Sequence, residues 1–142
     1  MTTSLAPLRG KDYAGMRYWV DNNLEVHVAS RTLPSGLMGI YNNLENTVLI
    51  DPRLTYAQKR CTLVHELVHW SHGDQGFCLN FAKDPERRTR LESAGILIDT
   101  PEYALLELEY GPDVWRIAEE LELTPAIVRD YQNLVLPYRR LR

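Results

Sequence analysis

Cysteine is scarce in this sequence: Cys61 and Cys78 are the two in 142 residues. Two thiols cannot build a four-cysteine metal site or a disulfide framework, and they allow one disulfide at most. Long apolar runs are missing too, and nothing approaches the roughly 18–20 residues that span a bilayer. Basic charge is not in excess. Sixteen Lys and Arg stand against 19 Asp and Glu, a net charge of -3, which gives no general attraction to nucleic acid or anionic lipid. The opening Met1-Thr2-Thr3-Ser4-Leu5-Ala6-Pro7 lacks the basic start and apolar stretch of a secretion signal. The expectation is a reduced, cytoplasmic protein with no membrane partner. Repeats and biased stretches are also absent. With 44% hydrophobic and 25% charged residues, the chain has the make-up of one ordinary globular domain.

Local patterning places strands first and helices after, an α+β order. Apolar residues at helical spacing predict a short helix over 13–20, stopped at Asp21-Asn22-Asn23 and weakened by Gly15. Leu24-Glu25-Val26-His27-Val28 alternates as a strand. Turns at Pro34-Ser35-Gly36 and Asn42-Asn43 then separate it from Leu37–Tyr41 and Thr47–Asp51. A small antiparallel sheet is expected. Thr55 and Gln58 form a capping box that opens a helix stopping at Gly73. Asp84-Pro85, Thr100-Pro101, Asp113 and Thr124-Pro125 open four more, the last closed by Pro137. The whole of 1–142 reads as a single domain: an N-terminal helix and sheet over 1–54, helices over 55–98, and C-terminal helices over 99–142. The tail Arg139-Arg140-Leu141-Arg142 is expected to fray.

The second helix carries His65-Glu66-Leu67-Val68-His69. A spacing of four puts both imidazoles on one face, about 6 Å apart along the axis, where they can share one ion. Two neutral imidazoles suit Zn²⁺ and leave room for water. Glu66, offset by about 100° around the axis, can reach that water instead of the ion and serve as general base. Four His and 11 Glu in the chain would produce this pattern by chance about 0.01 times. Val64 and Val68 flank the His stripe on one side and Leu63, Leu67 and Trp70 on the other, so the helix is apolar around most of its circumference and should be buried. Buried His and Glu side chains need partners. One metal ion satisfies all three together, whereas core histidines bonded to backbone carbonyls leave Glu66 unexplained.

A catalytic zinc takes three protein ligands, which leaves one to find. His72 lies near the same stripe but about 10 Å beyond His65, too far to share an ion with it. Gln75 stands where the long HExxH form would require a third His. The next helix offers Glu86, on one face with Thr89, Ser93 and Leu97, and then Glu92. Glu86 is preferred, and Glu92 stays open as the alternative.

These residues resemble the ImmA/IrrE-type zinc metallopeptidases of phages and mobile elements. The resemblance rests on Arg60-Cys61-Thr62-Leu63-Val64-His65-Glu66-Leu67-Val68-His69 with Gly73-Asp74 after it. Thr47–Thr55 upstream and the block from Glu86 through Leu97-Ile98-Asp99 to Glu102-Tyr103 extend it. It covers the chain from about Tyr13 to Val135. Members of that family usually carry Ala three residues after the Glu, an acidic or amide residue next, and an aromatic two further on. Here those positions hold Thr89, Arg90 and Glu92. The resemblance implies a zincin-like α+β fold, one zinc ion, a sheet edge that takes an extended peptide, and a helix-turn-helix repressor as protein substrate. Tyr41, Tyr56 and His27 are candidates by residue type for stabilising an oxyanion.

Residues 115–129 have the rhythm of a helix-turn-helix, with Glu122 at the usual Gly. Arg129, Gln132 and Asn133 could contact bases, but residues 112–136 carry two basic and five acidic side chains, the wrong sign for phosphate. Nucleic acid is therefore not the expected partner. Two other classes stand beside the peptidase reading: a non-catalytic zincin-like module that binds a repressor, and a DNA-binding regulator. Cys61 is expected as a small core thiol, and the basic run Arg87–Arg90 as a solvated helix face.

Overall fold

The computed structural model describes residues 4–73 and 83–139, so Cys78, Gln75 and residues 140–142 lie outside the described residues. The fold is α+β. Helix α1 (Tyr13–Asn23) precedes strands β1 (His27–Ser30), β2 (Gly39–Asn42) and β3 (Thr47–Ile50). Then come α2 (Tyr56–Ser71), α3 (Lys83–Leu97), α4 (Thr100–Tyr110), α5 (Val114–Leu121), α6 (Pro125–Asp130) and, after a π turn over Tyr131–Val135, α7 (Leu136–Arg139). Among the described residues no helix is long and apolar enough to cross a membrane.

The sheet departs from expectation in two ways. Its order is β1-β3-β2. The β2–β3 hairpin is antiparallel, with Tyr41 opposite Val48, but β1 runs parallel to β3, with Val28 opposite Val48. The sheet is therefore mixed, because β3 returns between the two earlier strands. The first strand also starts later than its alternation suggests. Leu24 and Val26 are buried but stand ahead of the ladder, which begins where His27 N–H meets the Asn46 carbonyl at 3.0 Å. Alternation reports which side chains are buried; pairing begins only where a neighbouring strand is available.

Local helix signals carry through. The Thr55–Gln58 capping box forms in full at the start of α2, and Asp99, Asp113 and Thr124 each cap the helix that follows. After α2 the chain turns at Gly73, whose φ of 69° suits a residue without Cβ. Three ends differ. Helix α1 continues through Asn23, with the Asn22 and Asn23 amides donating to the carbonyls of Tyr18 and Trp19. Pro137 sits inside α7 instead of closing the preceding helix. The π turn makes room for it: Leu136 N–H bonds Tyr131 O, five residues back, widening the helix where the proline ring would otherwise clash. Arg139 is not frayed, since it donates to Thr100 Oγ1 at 2.6 Å and lies over the Tyr131 ring.

Helix α2 runs through the centre of the core, packed against β2 and β3 on one side and α3 on the other. Arg60, Cys61, Thr62, Leu63 and Val64 are buried in sequence, followed by Glu66 to His69. Arg60 is satisfied by backbone: Nε donates to Lys11 O, and Nη1 to the carbonyls of Leu121 and Glu122. These bonds fasten the α5–α6 turn, where Glu122 takes a left-handed φ of 54°, to the middle of α2. Asp51, buried at the end of β3, accepts from Leu33 N–H and Arg53 N–H and from the Arg53 guanidinium. Those bonds hold its carboxyl far below the usual carboxylate range.

Candidate metal centre

Two helices build the site. From α2, the His65 and His69 rings project together, centroids 4.8 Å apart in a T-shaped arrangement at 76°. From the first turn of α3, Glu86 brings Oε1 to 3.6 Å from His65 Nε2 and Oε2 to 3.7 Å from His69 Nε2. One nitrogen from each ring and one carboxylate oxygen all lie within 4.8 Å of one another. Ligand atoms on a tetrahedral zinc, at about 2.0–2.1 Å from it, stand about 3.4 Å apart. The observed separations come close to that, and two imidazoles with a carboxylate form a donor set that zinc accepts. Glu86 Oε2 is also covered by protein and has no hydrogen-bond partner. A cation at this point supplies what it lacks.

Glu92 is brought elsewhere. It pairs with His72, Oε2 to Nε2 at 2.9 Å, about one helical turn past the two rings. Thr89, one turn beyond Glu86 and completely buried, places Oγ1 3.4 Å from His69 Nδ1. A hydroxyl accepting from Nδ1–H leaves Nε2 with a free lone pair, the state a metal needs. Sequence reasoning placed Thr89 on the Glu86 face without giving it a role, although its spacing of three from Glu86 was the available signal.

Electrostatics at the site follow burial. Burial pushes His65 below its ordinary value despite the raising effect of Glu86, so the ring stays neutral, the ligating form. Burial and then the charge of Glu86 lift Glu66 to about 7, opposed by the Tyr41 backbone N–H that donates to its carboxylate.

The site opens into a cleft of about 760 Å³. One wall is the start of β2 at Met38 and Gly39, the floor is α2 from Ala57 to Glu66, and the other wall is α5–α6 from Trp115 to Asp130. None of the oxyanion candidates Tyr41, Tyr56 and His27 lines it. Tyr41 is buried and Tyr56 exposed, and His27 lies on the far strand. Cys61 is a buried thiol raised by that burial, and it does line the cleft. Nor is Arg90 a plain solvated residue, because it donates from Nε and Nη2 to Asp130 on α6. Sequence reasoning missed the α5–α6 wall altogether, since what brings it to α2 is tertiary packing.

Comparison with curated proteins finds no match. The sequence profile of a peptidase family described as the IrrE N-terminal-like domain matches residues 5–130, a span that contains both helices of the site and the whole cleft. The chain therefore belongs to the IrrE N-terminal-like peptidase family, with the metallopeptidase-type role that membership carries.

Proposed function

We propose that this protein is a zinc-dependent endopeptidase. One observation carries the reading: His65, His69 and Glu86 converge beside a buried Glu66 at the floor of an open cleft. In this reading the two imidazoles and Glu86 hold one zinc ion. Held there, zinc would supply Lewis-acid activation of water and of the scissile carbonyl. Glu66 accepts the proton of the attacking water and delivers it to the leaving amine. Tyr41 N–H keeps the Glu66 carboxylate oriented during both transfers, and Thr89 fixes the ring of His69. The resemblance to ImmA/IrrE-type proteins extends the reading to a protein substrate, a helix-turn-helix repressor of a phage or mobile element.

Incubation of the zinc-loaded protein with a helix-turn-helix repressor from the same phage or mobile element tests the reading. Fragments should appear, and they should vanish with chelator. Glu66→Gln should retain zinc by elemental analysis and lose cleavage by about 10²- to 10⁴-fold. Cleavage at the wild-type rate by that variant would remove Glu66 from the mechanism. Zinc binding without fragments would favour the non-catalytic module.

A further inference from the structure

We infer that the helix-turn-helix-like pair α5–α6 is the substrate-selecting wall of the cleft, forming beside the ion site a subsite for a bulky apolar side chain of an extended peptide. This inference rests on the peptidase reading and names the substrate chemistry it requires.

Position comes first. Leu123, Ala126 and Ile127 line the same cleft as Cys61, Thr62 and His65, so a peptide whose carbonyl reaches the His65–His69–Glu86 site must pass between this wall and the β2 edge at Met38–Gly39. Side chains of an extended peptide alternate in direction. One of those flanking the reacting carbonyl is therefore directed at the α5–α6 side.

Chemistry decides what that side chain is. Leu123 and Ile127 on the wall and Cys61 on the adjoining floor give the subsite an apolar, buried lining. Two polar groups next to them are already engaged. Thr124 Oγ1 donates to the Cys61 sulfur and caps Ile127 N–H, and Asp130 is occupied by Arg90. Set against Cys61, Leu123 and Ile127, a polar substrate side chain would lose water without gaining a partner, whereas an aliphatic one gains burial. The wall is also fixed in place. Arg60, rising from the cleft floor helix, holds the carbonyls of Leu121 and Glu122 at 2.9 and 2.8 Å, so the subsite is formed before anything binds.

The same packing answers what the helix pair is for. Ile127 and Val128 face the interior, Gln132 donates to the Tyr103 hydroxyl and the Pro112 carbonyl, and the Arg129 guanidinium stacks 5.6 Å from the Trp115 ring. Ile127 and Val128 thus serve the core, while Trp115 and Arg129 line the cleft.

The test uses the zinc-loaded full chain and three probes in titration calorimetry: acetohydroxamate, and two peptidyl hydroxamates that differ only in carrying Leu or Gly beside the hydroxamate. The Leu probe should bind about 10- to 100-fold more tightly than the Gly probe, the value of burying one such side chain. Ala126→Trp, at an exposed position on the wall, should abolish that preference while thermal unfolding and zinc content report an intact protein. Equal binding of the Leu and Gly probes by the wild type overturns the subsite, as does a Leu preference that survives in Ala126→Trp. Failure of acetohydroxamate itself to bind overturns the peptidase reading instead.

Discussion

The Glu66 carboxyl group is buried beside a second carboxylate, and burial together with Glu86 raises it to about 7 from 4.5. The folded protein then holds this proton more tightly than the unfolded chain, so the metal-free fold loses stability as pH rises from about 4.5 to about 7. Removing the charge with Glu66→Gln should relieve this. Between about pH 5 and about pH 8 the variant should gain up to about 3 kcal/mol relative to wild type in urea unfolding with chelator present. The contribution of His65, present in both proteins, largely cancels in that difference. A difference that does not change with pH would show that Glu66 is not buried as a neutral acid. Thr89 is tested at the same scale. Thr89→Val should weaken zinc about ten- to a hundredfold in competition with a chromophoric chelator, and Thr89→Ser should restore it. Equal affinity in all three proteins would reduce Thr89 to packing.

At the scale of elements, the approach of β2 to α2 positions the general base. A Cβ on Gly39 would stand 2.5 Å from Thr62 Cγ2, 3.2 Å from the Leu49 carbonyl oxygen and 3.3 Å from Glu66 Cγ. The backbone oxygen cannot swing aside as a side chain can. Gly39→Ala should therefore push the strand off the helix, costing about 1–3 kcal/mol in chemical denaturation and lowering turnover through Glu66. Unchanged stability would show that the strand edge yields freely. The elements themselves were unequally legible. The capping box at Thr55, the caps at Asp113 and Thr124 and the turn at Gly73 are bonds within a few residues, so sequence places them. The parallel pairing of β1 with β3 joins residues twenty apart, and no local pattern distinguishes it from a meander. Pro137 misled for a related reason, since the π turn that admits it is sustained by the packing of Tyr131 and Leu134 and not by a breaker residue.

For the molecule as a whole, the proposed metal ties α2 to α3 and should contribute to stability by mass action. Zinc at about a hundred times its Kd adds about 2.7 kcal/mol, which for a chain of this size raises Tm by about 5–10 °C. A chelator should lower Tm by that amount and added zinc restore it, and Glu86→Ala should abolish the response in a calorimetric scan. A Tm indifferent to zinc would mean that the two helices are held together by packing alone.

The chain by itself determined the α+β order of elements, the helix boundaries set by caps, and the histidine pair with Glu66 between them. All of these follow from short-range stereochemistry: the 3.6-residue turn, the reach of a capping side chain, and the offset of neighbouring residues on one helix. Tertiary structure alone decided which carboxylate meets the imidazoles. Glu86 and Glu92 stand on one helix six residues apart, and only the docking of α3 on α2 sends one to the rings and the other to His72. The same docking turned a helix-turn-helix rhythm into one wall of a cleft, because Arg60 anchors its turn through carbonyls sixty residues away in the chain.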